Sequence, residues 1–230
     1  MNQKTVLRIA ALISGVSGLI ILIGVIYPII SYESTYGKNF SELVSPLSES
    51  SGSSISGGRT NDTSTNTSDF THASNWFVGG VNQAGFENSK VQFFTMSIPK
   101  LRIENATVAI GGDDLNKSLI QYPGTALPGR PGNTVIFGHS ILPIFYNPKN
   151  YIAMFSLLPT LKKGDEIYID YDGISYVYSI INMFEVMPTD IQVLDQDTSD
   201  AFVTLVTCVP PGDPSTPKRL VVRAKVVPPR

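Results

Sequence analysis

The chain opens on an unbroken apolar run. From Ile9 to Tyr32 no residue carries a charge, and 9–30 is dominated by Ile, Leu, Val, Ala and Gly. About 20 such residues in a helix cross a bilayer, so the run predicts a transmembrane helix over 9–32. A cleaved signal peptide would have an apolar region of only about 7 to 15 residues, ending in a small-residue cleavage site. Neither condition is met, and an uncleaved signal anchor is expected. Lys4 and Arg8 precede the run and Glu33 follows it. This bias keeps residues 1–8 in the cytoplasm and sends the remainder outward. Tyr27 and Tyr32 fall near the outer end, where amphipathic rings favour the interface, although packing explains them equally well.

The pattern then lapses. Residues 33–74 are crowded with Ser, Thr, Gly and Asn, too polar to form a core, and predict a flexible stalk. From about Asn75 short apolar runs appear, separated by Gly, Pro, Asn and Asp, so 75–230 is the expected folded domain. Segments 91–98, 107–110, 134–138, 166–171, 175–184, 201–208 and 220–227 read as strands by their β-branched and aromatic content. Seven strands over about 150 residues suggest a mainly β domain, closed or nearly closed into a barrel. Helical signals are short: 114–121 and 151–158 each predict about two turns.

Composition narrows the function. With 17 basic and 19 acidic residues the formal charge is -2, which supplies no basic field for neutralising nucleic-acid phosphates. Asp113, Asp114, Asp195, Asp197 and Asp200 could in principle face calcium, but acidic turn residues commonly just cap loops. No metal and no cofactor are expected. The single cysteine, Cys208, excludes an intramolecular disulfide and leaves that thiol either structural or reactive.

Cys208 ends the strand-like run from Ala201 and is followed by Val209-Pro210-Pro211-Gly212, which cannot continue a ladder. A side chain at a strand end beside a loop is rigidly held yet reachable. A catalytic thiol needs a base or a cationic neighbour. Of the two histidines, His72 lies in the stalk, whereas His139 follows the predicted strand 134–138, and Gly138 permits close backbone approach. Attack on a peptide carbonyl also needs donors for the developing oxyanion. Arg219 and Arg223 would share one face of the last strand, with Leu220 and Val222 on the other. Taken singly, a buried spectator thiol, a surface histidine and a solvated strand face account for these residues.

Together they resemble the sortase family of cell-surface transpeptidases. Thr204-Leu205-Val206-Thr207-Cys208 is similar to the family's T-L-x-T-C signature, Val135-Ile136-Phe137-Gly138-His139-Ser140 to the strand that delivers its histidine, and Lys218-Arg219-Leu220-Val221-Val222 to the strand carrying its arginine. The resemblance covers about 91–227. It implies an eight-stranded sortase-type β-barrel with short helices, with Cys208, His139 and Arg219 as catalytic residues. It further implies that Thr207 helps position substrate or oxyanion, and that Ile191 and Val193 line the pocket for the sorting signal. The implied reaction cleaves an Leu-Pro-x-Thr-Gly-like signal in a surface protein through a thioacyl intermediate. The acyl group passes to an amine of a peptidoglycan precursor or another surface protein. No segment before the first strand obviously plugs the site as a lid; the Ser-rich stalk and 75–85, with Trp76 and Phe77, could cover apolar surface, although packing on the barrel exterior is the simpler expectation. A hydrolytic cysteine peptidase, or a non-catalytic tethered β-domain for adhesion or assembly, stands as the alternative.

Overall fold

The computed structural model describes residues 3–37, 40–42, 71–77, 92–213 and 218–228. Most of the expected stalk, 43–70, lies outside the described residues. Helix α1 spans Gln3–Tyr32, and the stretch Leu7–Tyr36 is long and apolar enough to cross a membrane. From Leu7 to Tyr27 its side chains are exposed all round, with Leu12 and Ile20 near two-thirds accessible. Such a surface is stable only in apolar surroundings.

The strands are β1 (Ser41–Glu42), β2 (Phe93–Ile98), β3 (Ile103–Ile110), β4 (Leu119–Gln121), β5 (Gly132–Phe137), β6 (Glu166–Tyr171), β7 (Ile174–Val186), β8 (Ala201–Val209) and β9 (Lys218–Val226). Among the described residues, β2 to β9 close into an eight-stranded barrel in the order β7-β6-β2-β3-β4-β5-β8-β9, completed where β9 pairs back onto β7. The mainly β barrel expected from the strand pattern is therefore present. Closure removes the open edges that a sheet would otherwise expose. β6 runs beside β7 only from Ile174 to Ser179. Further along, β1 takes the vacated edge, parallel to Phe184 and Glu185.

Both helical expectations within the domain fail. Over 114–121 the chain forms turns and then β4, wedged between β3 and β5. Leu119, Ile120 and Gln121 are all buried, so sheet pairing with burial on both faces outweighs a two-turn helix, whose nucleation is costly. Over 151–158 successive backbone bonds reach three residues, as in Ala153 N to Asn150 O and Ser156 N to Ala153 O. The segment is a run of tight turns leading into the 3-10 turn Leu158–Thr160, and Met154 and Phe155 are buried in the barrel core.

Two cores share the barrel wall. Inward residues of β8 and β9, Val203, Leu205, Leu220, Val222 and Ala224, join Met96, Ile136, Ile169 and Tyr178 inside. Outward residues of the same strands, Val206, Cys208 and Val221, join a second cluster with Phe137, Phe184, Val193, Trp76 and Phe77. Period-2 alternation explains the split. Every residue of β8 is buried because both faces are covered.

α1 is also tied to this wall. The Tyr32 hydroxyl donates to Glu185 at 2.7 Å, and Lys218 donates to the other Glu185 oxygen at 3.2 Å. Glu185 is 3% exposed, so its charge depends on both donors. Tyr32→Phe should cost about 1.5–3 kcal/mol, read from denaturant unfolding of the full chain in detergent.

Candidate active site

The antiparallel ladder of β8 and β9 sets Cys208 directly opposite Arg219. Opposed residues in such a pair project to the same face, with their Cβ atoms about 4.5–5.5 Å apart. The parallel ladder of β5 and β8 aligns Phe137 with Val206. β5 therefore ends level with Val206, and the next two residues bring His139 level with the cysteine. The sequence readings for Cys208, His139 and Arg219 thus fall at one end of three adjacent strands.

Side-chain bonds lock this end together. Thr207 donates from Oγ1 to the Gly138 carbonyl at 2.8 Å, and Ser140 donates from Oγ to the Cys208 carbonyl at 2.6 Å. His139 sits between the two staples. Gly138 admits no side chain: a Cβ there would lie 2.5 Å from Phe155 Cδ2 and 2.6 Å from Leu119 Cδ2. The expected close approach is real, and it brings the histidine backbone hard against the barrel core. Thr207 differs from its expected place. It is fully buried on the barrel-facing side of β8, so it positions the His139 peptide and does not face the groove.

Trp76 bridges the remaining groups. Its ring lies 5.4 Å from the Arg219 guanidinium carbon and 6.0 Å from the His139 ring. It is 0% exposed and packs on Phe137 at 5.3 Å, with Phe77 against the same ring at 5.9 Å. The two aromatics do pack on the barrel exterior, and the exterior patch they cover is the Cys–His–Arg end. Backbone bonds hold segment 71–77 down: Ala73 N to Asp113 O at 3.0 Å and Leu115 N to Thr71 O at 2.9 Å. His72 adds a bond from Nδ1 to the Asp113 carboxylate at 2.7 Å. Its part is to secure this cover.

Under the cover Cys208 is 5% exposed. Burial pushes its thiol up to about 11, with the Arg219 guanidinium pulling the other way. Burial lowers Arg219 in turn, partly offset by the thiol. A cation–π contact with the indole suits a planar guanidinium that has lost its water.

Four residues before the cysteine, a cavity of about 320 Å³ opens on the same face. Its apolar lining is Phe184, Val186, Val193 and Val221, and Asp190, Asp195 and Arg223 stand among its polar lining. Of the two residues expected at the signal pocket, Val193 lines this cavity, whereas Ile191 is outside the lining and about half exposed. Asp113, Asp114 and Asp200 are bonded to His72, Lys117 and Lys225. Among the described residues no group of three His, Cys, Asp or Glu side chains is gathered for a metal.

The family model for the sortase domain matches residues 96–227, more than half of the sequence and nearly all of the barrel. The chain belongs to the sortase family. It is 26% identical over 117 residues to Sortase A of Streptococcus agalactiae, covering 51% of this chain and 45% of that protein. It is 30% identical over 135 residues to Sortase A of Bacillus anthracis, covering 57% and 58%. This sortase therefore aligns with only about half the length of these curated relatives. Its fold is similar to that of a Clostridium perfringens Sortase D5 transpeptidase, at 26% identity and a TM-score of 0.51, over 61% of this chain and 81% of that one.

The raised thiol carries a pH signature. An unfolded cysteine ionises near 8.5, so above about that pH the unfolded chain loses its proton first. Stability from the neutral buried thiol is full below about pH 8.5 and is lost as pH rises toward about 11. The thermal midpoint should fall more steeply across that window in the parent chain than in Cys208→Ala.

Proposed function

We propose that this sortase is a membrane-tethered cysteine transpeptidase, with residues 9–32 as a signal anchor, 1–8 cytoplasmic and the barrel outside. Residues 33–74 act as the connecting stalk. Cys208 is the nucleophile, His139 the proton carrier and Arg219 the oxyanion partner. The observation that carries this reading is the register of β8 against β9, which opposes Cys208 and Arg219 at the strand end where β5 delivers His139.

In the first displacement the Cys208 thiolate attacks the carbonyl of the Thr-Gly bond in an Leu-Pro-x-Thr-Gly-like signal. A C–S bond forms, the C–N bond breaks, and protonated His139 gives its proton to the departing amine. In the second, an amine of a peptidoglycan precursor or another surface protein attacks the thioacyl carbon. His139 takes its proton, the new C–N bond forms and the thiolate leaves. The Arg219 fork meets the negative oxygen in both tetrahedral states.

The cavity supports the motif's length. From Cys208 to Thr204 is about 13 Å of strand at roughly 3.3 Å per residue. An extended substrate covers that span with about four residues. The Leu of the signal then reaches the apolar lining at Val186 and Val193.

Substrate entry requires the 71–77 segment to withdraw. Burying an indole of roughly 200 Å² contributes on the order of 5 kcal/mol as an upper figure, so the covered form dominates without substrate. Withdrawal readmits water to the thiol and lets Arg219 favour its ionised form.

Incubation with a sorting peptide and a free amine should give a mass-resolved amine adduct. Cys208→Ala should give neither adduct nor thioacyl species; turnover in that variant, or hydrolysis as the parent's only product, overturns the proposal. Arg219→Lys keeps the charge without the planar fork and should slow turnover at least about a hundredfold. Trp76→Ala should raise the rate of Cys208 alkylation at least about tenfold, measured by mass spectrometry at neutral pH.

A further inference from the structure

The connection 187–200 between β7 and β8 forms one wall of the cavity through Asp190, Gln192, Val193 and Asp195. A surface connection of this length is ordinarily mobile, because little fixes its backbone polar groups. Here two amide side chains fix it. Gln196 lies flat against the peptide of Asn133 on β5: its Oε1 accepts from Asn133 N at 3.1 Å, and its Nε2 donates to Asn133 O at 3.0 Å. The same Oε1 accepts from Ala126 N at 3.0 Å, and the same Nε2 donates to Leu194 O at 2.9 Å.

The Asn133 side chain completes the staple from the opposite direction. It is fully buried, donates from Nδ2 to Val193 O at 3.0 Å, and accepts from Thr204 Oγ1 at 2.7 Å. Six hydrogen bonds thus join the loop, β5, β8 and the Ala126 turn. They run through Val193 and Thr204, which both line the cavity.

Gly132 shows that the backbone makes room for this arrangement. Its φ is +126°, and a Cβ there would lie 2.7 Å from Ala126 Cβ and 3.0 Å from Gln196 Oε1. A side chain there would clash with Ala126, crowd the glutamine amide and strain a backbone at positive φ. At the other base of the loop, Asp190 accepts from Met187 N at 2.8 Å.

We propose that Gln196 and Asn133 are positioning residues for substrate: they hold the Val193 wall of the cavity in its binding geometry before the peptide arrives, and so set the affinity for the aliphatic residue of the sorting signal. This inference rests on the transpeptidase reading above. It gives a physical task to the first threonine of the T-L-x-T-C signature, whose hydroxyl orients the Asn133 amide. A wall ordered in advance spares the complex the entropy of ordering it on binding. The loss on removing the staple therefore falls on binding, while the Cys208–His139–Arg219 end, held by Thr207 and Ser140, is untouched.

The test compares the parent full-length chain with Gln196→Ala, whose side chain is at the surface and whose loss leaves the barrel core intact. With an Leu-Pro-x-Thr-Gly peptide and a fixed amine, KM should rise about tenfold and kcat stay within about twofold, as expected for two or more lost neutral hydrogen bonds that act on binding alone. Gln196→Glu sets a carboxylate oxygen against the Asn133 and Leu194 carbonyls in place of the amide donors, and should raise KM at least as much as Gln196→Ala. Amide hydrogen exchange at 191–196 should quicken at least about tenfold in Gln196→Ala without substrate present. Unchanged KM with unchanged exchange overturns the proposal, as does a fall in kcat matching the rise in KM. If the parent does not turn over the peptide, the transpeptidase reading fails. Exchange at 191–196 then still decides the staple: faster in the variant upholds it, and equal rates sink it.

Discussion

The ladder between β8 and β9 is the constraint on which the rest of this sortase depends. Side chains along a strand alternate with a period of two, so a slip of one residue would turn Cys208 into the barrel and set it against Lys218 or Leu220. What prevents the slip is spread along both strands. Leu205, Val222 and Ala224 must face the inner core, and Val206 and Val221 must face the outer one. Packing residues with no chemistry of their own therefore decide whether thiol and guanidinium meet.

The outer cluster sets the electrostatics of the site. A thiol and an arginine at the end of an open barrel strand would be wetted and ordinary. Covered by Trp76 and walled by Phe184 and Val193, they share a dry space. There the thiol is held neutral and the guanidinium is stabilised by an aromatic face instead of water. The covering layer thus suppresses the reactivity that the ladder assembles. The site combines two opposed tendencies: proximity that favours ionisation and burial that resists it.

Much of this was legible in the chain. β-branched runs marked seven of the eight barrel strands, because short apolar stretches bounded by Gly and Pro have few other stable arrangements. The alternation of Arg219, Val221 and Arg223 with Leu220 and Val222 gave the facing of β9 correctly. β4 escaped because Leu119–Gln121 is too short for periodicity to show, and its pairing with β3 and β5 is non-local. Thr207 was misplaced for a related reason: adjacency to Cys208 in sequence suggested adjacency in the groove, yet neighbours on a strand face opposite ways. The Gln196–Asn133 staple spans 63 residues and uses polar types that loops contain anyway, so nothing local distinguishes it. Trp76 and Phe77 were visible as aromatics in a polar stretch, but their target could be found only from the surface they cover.

The paired staples from Thr207 to Gly138 and from Ser140 to Cys208 make the two strand ends a single mechanical part. The backbones that carry imidazole and sulfur move together, because parting them breaks both bonds at the end of the β5–β8 ladder. Any change in how the thiol is reached therefore falls to the periphery: the 71–77 segment that covers it, or the 187–200 connection that walls the cavity beside it.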